Sequence, residues 1–281
     1  MGALYIVATP IGNLSDITLR ALHVLQLADA VACEDTRHTQ TLLRAYGIER
    51  SSSHLIPVHQ HNESEAAQGL IERLQTGQRI VYVSDAGTPA ISDPGARLVA
   101  DVRGAGLSVI PLPGASSVIA ALSVAGIVQS QAEGFVFVGF LPSKSAERDT
   151  ALSIWAQDPR TLVLLEAPHR IEALAGSLQS LGNRRLTVAR ELTKQFEEIA
   201  TLSAHELPAW LSGNPNRTRG EFVLVLHPLA SDSQSKDEPA LKVLGLLLPE
   251  LPLKTAVKLA SEITGASRNR LYEAALAMKK V

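Results

Sequence analysis

Short runs of branched aliphatic residues recur through the first 112 positions, each followed by a stretch with helical spacing. LYIVAT (residues 4–9), AVACE (30–34), LIPVH (55–59), RIVYVSD (79–85) and SVIPL (108–112) read as strands. The intervening stretches read as helices, most clearly 62–75 and 95–104. Gly77, Gly104 and Gly106 stand where such helices should stop. Alternation of this kind predicts a parallel sheet with crossover helices. Pro111, Pro113 and Gly114 then interrupt the pattern, and a domain boundary is expected after residue 113. A helix at 116–125 opens a second α/β half, with strands at 134–140, 161–166, 186–190 and 221–227. Their less regular spacing leaves a mixed sheet open. SDSQSKDEP (231–239) lacks apolar periodicity and reads as a linker. Three short helices follow, at 240–248, 253–263 and 267–278. The expected division is therefore 1–113, 114–230, a linker at 231–239 and a helical tail at 240–281.

Composition sharpens this reading. Hydrophobic residues make up 46% of the 281 positions but aromatics only 4%, so the core must be aliphatic, as in sheets covered on both faces. The single cysteine, Cys33, excludes a disulfide framework within the chain. Met1 leads directly into an apolar strand with no basic n-region, and no apolar run reaches the roughly 18 residues of a membrane span. A soluble cytoplasmic chain is the expectation. The net charge of −2 gives no overall attraction to phosphate, so any nucleic-acid binding must be local. The tail supplies such a locality: Lys242, Lys254, Lys258, Arg268, Arg270, Lys279 and Lys280 face only Glu250, Glu262 and Glu273.

Polar and glycine-bearing segments gather just after the strands of the first half: TPIGN (9–13), EDTR (34–37), HQHNE (59–63), SDAGTPAISDPG (84–95) and Pro113-Gly114. In an open parallel sheet the carboxyl ends of the strands border the ligand crevice. Neither a G-x-G-x-x-G turn nor a Walker A sequence occurs, which argues against dinucleotide oxidoreductases and P-loop NTPases. A small ligand held by backbone groups of Gly/Ser/Pro-rich loops remains. His59, His61 and Glu63 match no standard zinc spacing, and Glu166-x-x-His169 has no second copy, so no metal is expected.

Seven segments, in order, resemble the ribosomal RNA small-subunit methyltransferase I family: ATPIGNLSDIT (8–18), CEDTRHT (33–39), VSDAGTPAISDPG (83–95), PLPGASS (111–117), GFLPSK (139–144), EAPHR (166–170) and ARELTK (189–194). The resemblance implies two α/β domains of the tetrapyrrole-methylase (class III methyltransferase) type with a cleft between them, plus a small C-terminal helical region. It implies S-adenosylmethionine in the cleft, methylation of a cytidine ribose 2′-oxygen in the decoding region of 16S rRNA, and a homodimer. The rRNA, in turn, is expected within the 30S subunit.

By the same resemblance the cofactor positions are Pro10, Ile11, Asp85, Ala86, Gly87, Thr88, Ile91, Ser116, Ser117, Glu166 and Ala189. Gly87 permits close backbone approach, Pro89 and Pro94 stiffen the loop, and the amino end of the 116–125 helix offers unpaired N–H groups. Only Gly12 survives of the G-x-G-P-G loop common in tetrapyrrole methylases, which favours the rRNA branch over porphyrin or corrin substrates. The ribose hydroxyl is a weak nucleophile that benefits from a base. Glu34 and Asp35, with Arg37 beside them, are the first candidates; a carboxylate capping the helix that starts near Thr36 is the alternative. Lys144, Arg148, His169, Arg170 and Lys194, together with Lys254 and Arg268 of the tail, are candidate contacts to RNA. The tail itself has a helix-turn-helix look around TGAS (264–267).

Overall fold

A computed structural model describes residues 2–59, 62–91, 95–128, 134–229 and 233–278, with side chains from 240 onward in the last segment. The first five strands, β1 (Ala3–Val7), β2 (Ala30–Cys33), β3 (Leu55–Pro57), β4 (Arg79–Val83) and β5 (Ser108–Leu112), form one sheet in the order β3-β2-β4-β1-β5. Every pairing in it is parallel. The period-two alternation of each strand explains why its sequence is almost wholly apolar. Ile80 and Tyr82 of β4 face one core with Leu4, Leu70 and Leu98, while Val81 and Val83 face another with Val7, Leu25 and Leu43. The helices α1 (Leu19–Leu27), α2 (Thr36–Ala45), α3 (Glu63–Gln75) and α4 (Gly95–Gly104) supply the two covering layers. Thr18 caps α1, its Oγ1 accepting the Ala21 N–H at 3.1 Å.

Beyond α5 (Ser117–Val124) lie β6 (Phe135–Gly139), α6 (Ser145–Ala156), β7 (Thr161–Glu166), α7 (Ile171–Leu178), β8 (Arg185–Arg190), β9 (Glu198–Ser203), α8 (Leu207–Ser212) and β10 (Phe222–Leu226). Their sheet runs β6-β7-β10-β8-β9. It is mixed: β6 and β7 are parallel and the other pairings antiparallel. Strand β9 was not expected from the sequence. It is an edge strand with no fully buried residue, so it lacks the apolar run that marks the others. Phe222, Leu224 and Leu226 of β10 pack under α7, and Val223 and Val225 pack on the opposite face against Val118 and Ala121 of α5. Both sheets belong to one compact unit.

The C-terminal residues from Pro228 form a separate unit. It contains α9 (Ser233–Leu247), α10 (Leu253–Thr264) and α11 (Arg268–Met278). Ala240, Leu244, Ala256, Ala260, Leu271 and Ala275 make its core, and Gly265 ends α10 in the left-handed conformation at φ +71°. The expected linker at 231–239 is corrected here, because α9 already begins at Ser233. The absence of apolar periodicity removes the sequence signal of a helix without excluding one. Among the described residues no helix is long and apolar enough to cross a membrane.

Candidate functional site

The loops after β1 and β4 are joined at the carboxyl edge of the first sheet. Thr9 and Gly87 form an isolated antiparallel bridge, and Thr9 Oγ1 donates to the Ser84 carbonyl at 3.2 Å. Gly87 sits at φ +79°, with the Ile11 methyl 3.3 Å from where a Cβ would stand. Thr88 Oγ1 donates to the Ala115 carbonyl at 2.9 Å, linking the same loop to the segment that enters α5. There Gly114 passes so close to Ala8 that a Cβ would lie 2.7 Å from the Ala8 Cβ. Of the 84–95 motif, residues 92–94, including Pro94, fall outside the described residues.

These loops form one wall of a cavity of about 380 Å³, inside the range of about 300–1,000 Å³ typical of small-molecule sites. Ala86, Gly87, Thr88 and Ile91 line it with Ile11, and Ser116 and Ser117 line it at the amino end of α5. Ser116 is the helix cap, its Oγ accepting the Ile119 N–H at 3.5 Å. The second sheet supplies the other wall, with Glu166 and Ala189 among apolar neighbours. Nine of the eleven residues expected at a cofactor thus line one space. The two exceptions are Pro10, which is buried beside it, and Asp85, which is exposed outside it. Sequence reading missed Phe137, Phe140, Leu165, Leu192, Phe222 and Val223 of the wall, along with Glu221. Apart from Leu192, which lies in the turn after β8, they sit in or beside runs indistinguishable from core strand.

Glu166 is the unusual member. Its side chain is 1% exposed, at the end of β7. Oε1 accepts the Ala167 N–H at 2.8 Å and pairs with Arg170 Nε at 3.0 Å, while Oε2 is buried with no protein partner. Arg170 in turn donates to the Leu141 carbonyl, tying this loop to the one after β6.

Glu34, Asp35 and Arg37 do not line the cavity. Asp35 is the cap of α2: Oδ1 accepts the N–H groups of Arg37 at 2.8 Å and His38 at 3.3 Å. Those two bonds, with the Arg37 guanidinium 3.6 Å from Oδ2, hold its carboxyl below the usual range. A base needs the opposite shift, so the capping alternative fits Asp35. Glu34 is half-buried at the end of β2. Burial, chiefly, pushes the Cys33 thiol up to about 11, with Asp85, Asp35 and Glu34 adding to the effect.

The expected RNA contacts divide by exposure. Lys144 is exposed and pairs with Glu147 at 2.9 Å, and His169 is exposed. Arg148 is a correction: it is buried, with Nε donating to Ser177 Oγ at 2.9 Å and Nη1 to the Ser143 carbonyl at 3.0 Å. It pins α6 to α7 and is committed to the interior. Arg170 is committed to Glu166 and Leu141. Lys194 bridges Glu191 at 2.8 Å and Glu221 at 3.1 Å, and Gly12 packs against its stem. Lys254 is exposed, and Arg268 pairs with Glu262 at 3.0 Å. His61 lies outside the described residues; His59 takes part in a turn, its N–H donating to Asn62 Oδ1 at 2.8 Å. Among the described residues no group of three His, Cys, Asp or Glu side chains is placed to hold a metal ion.

Comparison with known proteins gives concordant matches. The model of the Tetrapyrrole (Corrin/Porphyrin) Methylases matches residues 3–208, and that of the RsmI C-terminal HTH domain matches residues 234–279. Ribosomal RNA small subunit methyltransferase I of Neisseria meningitidis serogroup B is 47% identical over 280 residues, covering 99% of this chain and 94% of that protein. The protein of the same name from Escherichia coli O157:H7 is 48% identical over 277 residues, covering 98% and 95%. Among solved structures, uroporphyrin-III C-methyl transferase from Thermus thermophilus complexed with S-adenyl homocysteine superposes with a TM-score of 0.54 at 20% identity, covering 80% of this chain and 97% of that one. That likeness establishes the fold.

Proposed function

We infer, from the premise that the chain belongs to the ribosomal RNA small subunit methyltransferase I family within the tetrapyrrole methylases, that it transfers a methyl group from S-adenosylmethionine to a cytidine ribose 2′-oxygen of 16S rRNA. The observation that carries the reading is a near-full-length identity of 45–48% to proteins named for that work, with the C-terminal unit included.

The cavity fits the cofactor on its own chemistry. S-adenosylmethionine brings an activated methyl on a sulfonium, between an adenosine and an amino-acid end. Ala86, Gly87 and Thr88 offer backbone groups on a loop that Gly87 leaves open to close approach. Ser116 and Ser117 offer the first N–H groups of α5. The apolar wall around Ala189 suits a heterocycle, and the unmatched Glu166 Oε2 calls for a donor. Holding both reactants in one water-poor cleft supplies much of the rate by alignment alone. The hydroxyl proton must leave as the oxygen is methylated. Neither Glu34 nor Asp35 lines the cavity, and it is on the family resemblance that we assign the proton to Glu34, which follows β2 beside β4.

The chain is read as a cytoplasmic homodimer acting on the assembled 30S subunit, a reading that rests on the family resemblance. Incubation with labelled S-adenosylmethionine and 30S subunits, then nuclease mapping of the labelled nucleotide, tests the activity. The reading predicts one labelled, alkali-resistant cytidine linkage; label on a tetrapyrrole and none on rRNA would overturn it. Light scattering tests the dimer.

A further inference from the structure

Aromatic side chains are scarce in this chain, with five phenylalanines among 281 residues, yet Phe137, Phe140 and Phe222 all line the cavity. Phe222 is buried and belongs to the core of the second sheet. Phe140 is 53% exposed. Ile91, on the loop after β4, is the other exposed large hydrophobic residue of the lining. The backbone is arranged to put Phe140 there. Phe137 and Phe140 are three residues apart, so in a regular strand they would point to opposite faces. Both line the same space because β6 is irregular: Phe137 pairs with Val163 and Gly139 with Leu164, which leaves Val138 as an extra residue. Gly139 then ends β6 at φ +74°, in the left-handed region. Bulges of this kind re-aim side chains and recur beside active sites. Gly139 and Leu141 on either side are buried, and the Leu141 carbonyl accepts from Arg170. The ring is thus held in place without being covered.

Methyl transfer to a ribose oxygen requires the sugar to be aligned with the methyl donor. A nucleotide drawn out of its stack for that purpose loses its neighbours on both faces of the base. Aromatic side chains are what RNA-binding proteins set against such splayed bases. Resting on the activity proposed above, we propose that Phe140 is the platform on which the base of the target nucleotide stacks, holding its ribose at the cavity. Ile91, from the first sheet, adds aliphatic surface but no face to stack on. A stack reads no base edge, so Phe140 positions the nucleotide and does not select cytosine over another base.

Rates of methyl transfer to 30S subunits, with S-adenosylhomocysteine titrations and urea unfolding of the same preparations of the full chain, test this. Phe140→Ala should lower kcat/KM for 30S subunits by about 5- to 150-fold, the range for removing one base–aromatic stack. S-adenosylhomocysteine affinity and the urea midpoint should stay at their wild-type values, because the ring is half open. Phe140→Tyr and Phe140→Trp should retain most of the rate, since each keeps a flat face. Phe140→Leu, which keeps apolar bulk without one, should fall with the alanine variant. A wild-type kcat/KM in Phe140→Ala overturns the proposal. So does full activity in Phe140→Leu, which would leave only a need for apolar bulk. A parallel drop in S-adenosylhomocysteine affinity would put the ring against the cofactor, and a smaller species in light scattering would put it between two copies of the chain; either result also overturns it. Failure of the wild type to methylate 30S subunits would instead sink the assigned activity, and this proposal with it.

Discussion

Thr9 and Gly87 exchange two backbone hydrogen bonds, the Thr9 N–H reaching the Gly87 carbonyl at 2.9 Å and the Gly87 N–H reaching the Thr9 carbonyl at 3.0 Å. This bridge ties together the loops after β1 and β4, adjacent strands of the first sheet, and it depends on Gly87 at φ +79°. An alanine there takes on a left-handed backbone at a cost of about 1–2 kcal/mol, and its methyl meets the Ile11 side chain at 3.3 Å. Gly87→Ala should therefore lower the melting temperature modestly and S-adenosylhomocysteine affinity more sharply, as measured by scanning and titration calorimetry on one preparation. Equal affinity in the two proteins would remove the loop from the site.

The adjacent carboxylates Glu34 and Asp35 should separate under substitution. Asp35→Ser keeps a capping oxygen at the head of α2, so single-turnover methylation should stay near the wild-type rate. Glu34→Gln should slow that step by roughly 10²- to 10⁴-fold, the usual contribution of a general base, with S-adenosylhomocysteine binding intact. If the rate loss follows Asp35 instead, the assignment of the proton to Glu34 is wrong.

Arg148 and Lys144 are four residues apart at the start of α6, yet they should behave oppositely. Arg148→Ala removes bonds to Ser177 and Ser143 inside the protein and should cost about 1.5–3 kcal/mol in urea unfolding. Lys144→Ala touches only an exposed pair and should leave stability unchanged within error. The salt dependence of RNA binding should be unaffected by Arg148→Ala once the protein is folded.

That contrast shows where the sequence was legible. The strands of the first sheet announced themselves because burial on both faces forces continuous aliphatic runs. The loops of the cavity announced themselves through residues with special backbone chemistry, such as Gly87 and Ser116. Strand β9 did not, because an edge strand with alternating exposure carries no such run. Arg148 was misread because its burial is decided by Ser177, distant in sequence, and a charge at a helix start looks solvated until its partner is known. The deficit at Glu166 Oε2 depends on which partners are absent, and no motif encodes that.

His227 gives the second sheet a pH dependence. Its ring is buried with Nε2 2.8 Å from Thr187 Oγ1, and burial, with the charges of Arg185 and Arg184, lowers its pKa from 6.5. The folded chain therefore resists a proton that the unfolded chain accepts. This contribution to stability is complete above about 6.5, the ordinary histidine value, and is lost as the pH falls from there through the folded value. His227→Gln should flatten that part of the profile in urea midpoints measured against pH. A slope identical to the wild type would assign the effect to other groups.

In the C-terminal unit, Lys254 and Lys258 lie one turn apart on α10 and are both exposed, while Arg268 is paired with Glu262. Residues at i and i+4 share a face, so the two lysines present one basic strip. If that strip meets phosphates, each lysine releases counterions on binding. The double change Lys254→Ala, Lys258→Ala should then reduce the slope of log K against log salt by roughly 0.7 to 0.9 per lost contact. S-adenosylhomocysteine affinity should not move, since the cavity belongs to the other unit. Filter binding of 30S subunits at several salt concentrations reads the slope directly. A weakened affinity with an unchanged slope would mean that the lysines support the helical unit without touching the RNA backbone, and an unchanged affinity would remove this strip from the docking surface.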